Sequence, residues 1–512
     1  MSNYDNLVAW ATANGAYLNP NVSISVSPET GALFVATADL PESAPITSCP
    51  MSLSLSYLNL LGGTDLPFAD PYAASNNSKC EGSVGGRPAV VRNIPFPADF
   101  LAATPPHVLS RFLLMQQYLA GETSPWSVYI SALPQPGKLS LPVLWDSDDI
   151  ELLDGTNLGA SATEIQTRLG AEYAAARERL TGWTDGGWRE FSRDLYYWAY
   201  GIFTSRSFTP RLVLPAGVCR RLESRLQGCS LEDFSLLLPL YDIGNHDMTA
   251  PATWATDDGA DAEAGGEGPS RVTLTVARAH AKGEQVFNNY GMRTNSQLLL
   301  SYGFMIPESE AVHNDYVHLK RRDQQPGVAH DYLLSLYPAG DRRSVVLEHR
   351  QIVKRVDLAA LSDGGKNAVL SSFLRVQDEI VYDLVLMHTT LDELCSKLGV
   401  GGSNSLSEGA AGSTAGSTMG RDVQTAKQAV LGKLLTNQVP DDVRAWLMQA
   451  MAVIGAQASV ALEKLEETEV EVDEDQIPHL TDNQRLGLGY RHACRRVLEG
   501  VLEGIDMGPV DS

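Results

Sequence analysis

Apolar residues fall in two rhythms along this chain, and the switches between them mark out its parts. Residues 4–18 carry apolar positions at helical spacing and stop at Asn14-Gly15, a helix-ending pair. Short strand-like runs follow: Val22–Val26, then Leu33–Ala36 after the turn Pro28-Glu29-Thr30-Gly31, then Ile46–Cys49. Strands this short with turns this tight predict a small twisted β domain. From Pro97 to Phe208 the helical period takes over, with helices expected over His107–Leu119, Ser161–Leu180 and about Trp188–Phe203. Strand character returns at Leu231–Leu240, Val272–Ala277 and Gln285–Asn288, and Asn295–Tyr302 reads as a short helix. Gly62–Arg87 and the acidic Thr253–Ser270 read as surface loops.

Beyond Pro307 the pattern is mainly helical, over Lys366–Leu398, Asp422–Asn437, Asp441–Glu467 and Thr481–Ile505. Gly399–Gly420 is a Gly/Ser/Ala linker, and Glu463–Asp475 is a dense acidic run of the kind that stays solvated. The expected architecture is α+β. Residues 1–96 and 209–306 form two parts of one β fold, 97–208 a helical insertion, and 312–506 a C-terminal all-α domain containing the 399–420 linker.

A chain of 512 residues is long enough for several cores. The net charge of −23, from 62 acidic and 39 basic residues, repels phosphate backbones and argues against nucleic-acid binding. It leaves solubility, or attraction for a basic protein, as its readings. The six cysteines form no C-x-x-C pair, which argues against a disulfide framework and a structural zinc site. No run of about 18 apolar residues is evident, so no membrane span is expected, nor is a leader segment. The expected address is cytosol or nucleus, and the expected state a monomer.

Two polar clusters sit against apolar runs: Tyr241-Asp242-Ile243-Gly244-Asn245-His246, and Asn289-Tyr290-Gly291 followed by Tyr302-Gly303-Phe304. Polar groups directly after Leu236–Leu240 need partners, so the two clusters are expected to meet. Singly, each has a plain structural reading: a turn with a satisfied core histidine, a turn, core rings.

Together they resemble the SET-domain methyltransferases. Asp242-Ile243-Gly244-Asn245-His246 is similar to that family's D-M-x-N-H segment, and Gly283-Glu284-Gln285-Val286 through Tyr290-Gly291 to its G-E-Q-[IV]-x-x-x-Y-G segment. Thr294-Asn295 and Leu298-Leu299-Leu300-Ser301-Tyr302-Gly303-Phe304 resemble the S-N-x-x-L-L-x-x-Y-G-F continuation. Trp126–Pro134 and Ser205-Arg206-Ser207-Phe208 extend the likeness to the Rubisco large-subunit lysine methyltransferase class, which carries a helical insertion and a helical substrate-binding domain.

The resemblance implies S-adenosyl-L-methionine as cofactor and Tyr290 as the catalytic residue. Gly31, Arg206, Asp242, Asn245, His246, Tyr302 and Phe304 would line the cofactor site, and no metal is implied. Where the family commonly has G-x-G near its first strands, this chain keeps Gly31 but has Leu33. The implied activity is N-methylation of lysine on a non-histone protein. Histidine methylation by the same site, or a SET-fold binding module of weak catalysis, are the alternatives.

Overall fold

The computed structural model describes residues 2–62, 66–73, 93–226, 228–257, 260–261, 266–267, 269–322, 329–354, 372–400, 415–473, 475 and 477–506. They divide into two compact units. The first comprises Met1–Leu144, Glu164–Gly291 and Ser301–Gly303.

That unit opens with the helix Asn3–Ala13, held by a capping box in which the Ser2 hydroxyl accepts from the Asp5 N–H and the Asp5 carboxylate accepts from Ser2. The strands Val22–Ser27 and Gly31–Ala36 pair as a hairpin, with Gly31 opposite Ser27. Gly31 has φ +70°, a conformation that only glycine adopts cheaply. Gln285–Val286 adds to Gly31–Ala36 as the third strand of that sheet.

A second, four-stranded sheet runs in the order Tyr17–Leu18, Pro45–Pro50, Arg271–Val276, Ala252–Asp257, antiparallel throughout. Arg271–Val276 alternates buried and half-buried residues at period two, with Val272, Leu274 and Val276 inward. The helix Pro106–Ala120 is buried almost all round from Val108 to Gln117 and packs against the helix Arg193–Arg206. Phe112 stacks on Phe191 with centroids 5.8 Å apart.

The second unit comprises Trp145–Thr163, Met292–Leu300 and Phe304–Ser512. Its core gathers Leu334, Val381, Val430, Leu447, Ile454 and Val497, drawn from a hairpin and four helices. Asp441–Glu467 and Asp482–Asp506 are its longest helices, and they pack together.

Several sequence expectations need correction. Thr253–Ser270 is not all loop: Ala252–Asp257 is a strand in full register with Arg271–Val276, its polar composition reflecting an edge position with one exposed face. Leu231–Leu240 yields only the strand Leu236–Leu237, because Pro239 and a positive φ at Leu240 turn the chain. The region after Pro307 begins with a hairpin of Tyr316–Arg322 and Ala329–Ser335, whose charged residues hid its alternation. Within Lys366–Leu398 the described helices are Asp378–Val385 and Leu391–Leu398, and 366–371 lie outside the described residues. The Gly62–Arg87 and Gly399–Gly420 readings also fall largely outside them, although a helix runs from Ala415.

The helix Asp441–Glu467 is long and apolar enough, by length and composition, to cross a membrane, with a mean hydropathy of 1.4 over its most apolar 18 residues. Gln449, Gln457 and Ser459 break the run without adding charge, which is why no such run was expected from the sequence. Its buried positions Val443, Leu447, Ala450, Ile454, Ala458 and Leu465 recur at helical spacing on one face, while Met448, Val453 and Val460 are exposed. Among the described residues the five cysteines are free thiols.

Candidate active site

The two polar clusters lie side by side in the first unit. After the strand Leu236–Leu237, Leu240 adopts φ +69°, an uncommon conformation for a γ-branched residue, and the chain makes one tight turn at Tyr241–Ile243. Such strain persists where surrounding contacts fix it, and it collects at functional sites. The chain then runs parallel to the second cluster through a bridge between His246 and Asn288. The Asn288 N–H donates to the Asn245 carbonyl at 2.7 Å, and the Asp247 N–H donates to the Asn288 carbonyl at 3.0 Å. Gly244 is required by proximity and not by its backbone angle: a Cβ there would sit 3.1 Å from the Asn288 Cβ and 3.5 Å from the Phe34 ring.

Tyr290 is tied down at three points. Its N–H donates to His246 Nδ1 at 3.1 Å, its hydroxyl donates to the Gly244 carbonyl at 2.9 Å, and its ring stacks with two others. His246 stacks with it at 4.9 Å and 15°, and Tyr302 at 4.8 Å and 26°. Burial pushes the Tyr290 hydroxyl well above its ordinary range, so it keeps its proton at neutral pH. A buried phenol held this way orients groups and does not serve as a base.

Beneath these rings, Asp242 is buried, and its Oδ2 accepts from the Tyr129 hydroxyl at 2.9 Å. Arg206 Nη1 reaches the same carboxylate at 3.4 Å and the Asp242 carbonyl at 3.3 Å. Burial pushes the Asp242 carboxyl up, and Arg206 and Tyr129 offset only part of that. Burial disfavours the Arg206 charge too, yet Asp242 and nearby tyrosines more than restore it. Asp242 Oδ1 and Asn245 Nδ2 are buried with no hydrogen-bond partner among the described residues. Such groups cost about 1–3 kcal/mol each unless something satisfies them.

Arg206, Asp242, Asn245, His246, Tyr290 and Tyr302 are thus brought together by the first unit's own packing. Gly31 is not in this cluster: it is exposed at the start of its strand, about 10 Å along the backbone from Phe34. Leu33 faces inward and buried in that strand. Phe304 belongs to the second unit.

Three contributors were missed from the sequence. Tyr129 lies in the Trp126–Pro134 stretch that carried the resemblance, so it was on view without a role. Trp254 donates from Nε1 to Asn288 Oδ1 at 2.9 Å, and packs edge-on against Phe208 and Tyr241 at 5.2 and 6.4 Å. It was hidden in a segment read as loop. Asn288 fixes both clusters at once, and its signal was the Asn-Asn pair before Tyr290.

No family model matches this chain. It is 26% identical over 337 residues to the ribosomal lysine N-methyltransferase set10 of Schizosaccharomyces pombe, covering 63% of this chain and 50% of that protein. It is 26% identical over 226 residues to the actin-histidine N-methyltransferase of Drosophila melanogaster, covering 42% of this chain and 38% of that protein. The chain spans about half the length, or less, of these curated relatives. A solved structure of the SET domain of LSMT bound to lysine and AdoHcy superposes with a TM-score of 0.54 at 16% identity, covering 98% of this chain and 91% of the other. The small antiparallel sheets and this superposition agree: the chain has the fold of the solved SET domain of LSMT.

Proposed function

We propose that this chain is an S-adenosylmethionine-dependent protein N-methyltransferase acting on lysine in a non-histone protein. The observation that carries the reading is Tyr290, stacked with both His246 and Tyr302 and bonded through its N–H to His246, next to Asn245. The buried Asn245 amide and Asp242 Oδ1 fit a ligand rich in donors and acceptors, as the cofactor's adenosine and amino-acid ends are. Asn245, His246 and Asp242 would hold it. Among the described residues both hydrogen bonds of Arg206 come from Nη1, so the rest of its fork suits the cofactor's carboxylate. When bound, the cofactor supplies a sulfonium methyl group.

The protein's own residues then align and dry the acceptor. Alignment of reactants is worth about 7–11 kcal/mol. Deprotonating a free lysine at pH 7 costs about 4.6 kcal/mol, and the stacked, half-buried rings of Tyr290 and Tyr302 lower that cost by disfavouring the ammonium. The Tyr290 hydroxyl donates its hydrogen bond to the Gly244 carbonyl, so its lone pairs remain to accept from the amine. The net charge of −23 suits a basic protein partner.

Histidine methylation is the second reading, favoured by the match to the actin-histidine enzyme. Imidazole is already neutral near pH 7, so a histidine enzyme should level off there while a lysine enzyme gains rate above about pH 8. The test is calorimetric titration with S-adenosylmethionine, followed by labelled-methyl transfer to a matched cell extract and mass spectrometry of the labelled peptide. Absence of both heat and label would sink the enzyme reading.

A further inference from the structure

A cavity of about 180 Å³ lies in the first unit, apart from the Tyr290 cluster, between the start of the helix Pro106–Ala120 and the end of the helix Arg193–Arg206. We infer that it binds a small oxyanion of the phosphate class. Its volume is far above the roughly 15 Å³ that admits one water. Its walls contain no carboxylate, in a chain whose acidic residues outnumber its basic ones by 62 to 39. They present Arg111, His107 and the hydroxyls of Ser110, Thr204, Ser207 and Ser235. Phe203 is the one wholly apolar side chain, so an apolar ligand would find little to bury. A cation would face a guanidinium.

Arg111 is the anchor. Its side chain is only 10% exposed, and both of its hydrogen bonds among the described residues come from Nη1, to Glu172 Oε2 at 2.6 Å and to the Tyr196 hydroxyl at 2.7 Å. The guanidinium is wedged between the rings of Tyr196 and Tyr200, 5.5 and 5.1 Å from their centroids. One edge of a pre-organised fork is therefore committed, and Nε and Nη2 remain for a second acceptor.

Two further features favour an anion. Thr204 Oγ1 lines the cavity with no partner among the described residues, and the Ser207 and Ser235 hydroxyls bond to each other at 2.7 Å beside it. The cavity also sits at the first turns of a 15-residue helix, whose dipole favours negative charge; Pro105 and Pro106 there carry no N–H, so the donors are side chains. Glu172 belongs behind Arg111: it holds the arginine but does not line the cavity. The site is distinct from Arg206 and Asp242, although Thr204 and Ser207 flank Arg206 in sequence.

The experiment is titration calorimetry of the full chain in phosphate-free buffer, with inorganic phosphate in one arm and glycerol phosphate in the other. Saturable binding of inorganic phosphate is expected, with chloride ineffective. Equal binding of the ester shows that the cavity accepts a monoester group, and ester binding alone makes that group the ligand. Thr204→Glu places a carboxylate in the cavity and should weaken binding at least about tenfold. Thr204→Val removes only the hydroxyl and should weaken it about threefold, which guards against misfolding of the first variant. Glu172→Gln frees Arg111 from its internal counter-ion and should tighten binding several-fold. No saturable heat in either arm, unchanged affinity in both Thr204 variants, or weaker binding in Glu172→Gln would each overturn the inference.

Discussion

Replacing Glu172 by Gln tests how far the first unit depends on one buried ion pair. Its carboxylate faces Arg111 at 2.6 Å and His107 at 3.2 Å, and accepts from the Tyr196 hydroxyl at 2.9 Å. The side chains of the central pair are 10% and 16% exposed, so solvent screens them little. Burial works against the charge, but the bonds from His107, Arg111 and Tyr196 outweigh it and hold the carboxyl near 2. Its unfolded value is about 4.5, so the ionised form gains about 3 kcal/mol on folding, at 1.36 kcal/mol for each pH unit between the two.

Removing one partner of a buried pair costs about 3–5 kcal/mol, and of an exposed pair about 0.2–1. Both routes place Glu172→Gln near 3 kcal/mol. Because the folded carboxyl is the more acidic, this stability is fully present above about pH 4.5 and is lost as pH falls towards 2. Denaturant unfolding followed by tryptophan fluorescence, at pH 7 and at steps down to about pH 3.5, reads the gap between wild type and variant. A gap below about 1 kcal/mol at pH 7, or one that does not narrow with acid, would refute the account.

Three other outcomes are expected. Tyr290→Phe keeps both ring stacks and loses one hydrogen bond to Gly244, so it should cost about 1 kcal/mol of stability. It should nonetheless remove most methyl transfer with cofactor affinity nearly intact, and equal loss of both would mean that Tyr290 only braces the fold. Asp242→Asn should show the opposite pH sense to Glu172→Gln. The folded Asp242 carboxyl holds its proton more tightly than the unfolded one, so wild-type stability falls as pH rises past about 3.9, and the variant gains on it over that window in unfolding midpoints. Gly303→Ala should destabilise by about 1–3 kcal/mol, since Gly303 has φ +78° and a Cβ would meet the Ser140 backbone at 3.0–3.1 Å. A shift in thermal midpoint near zero would contradict it.

What could be read from the sequence was what depends on local rules. Asn14-Gly15 stopped a helix, Val272–Val276 alternated, and Asn295–Tyr302 is a helix over the span its spacing predicted. The meeting of the two polar clusters was also legible, because buried Asn and His side chains after an apolar run demand partners. Contributions set by tertiary contact were not. Nothing local marks Tyr129 as the donor to Asp242, nor Leu240 as the residue with a left-handed backbone. Trp254 was lost because Ala252–Asp257 is an edge strand, exposed on one face and followed by an acidic insert, so its composition resembles a loop.

The strand pairing of the first unit also sets a timetable for biosynthesis. Pro45–Pro50 gains its central partner only from Arg271–Val276, and Gly31–Ala36 its outer one from Gln285–Val286. At about 5–20 residues per second, the ribosome delivers those partners roughly 10 to 50 s after the early strands. Through that interval Phe34, Ile46 and Cys49, each fully buried in the finished fold, wait beside unpaired strand edges. A nascent chain truncated before Arg271 has the N-terminal hairpin but no sheet to close. Slowed translation near residue 270 is where its aggregation should rise.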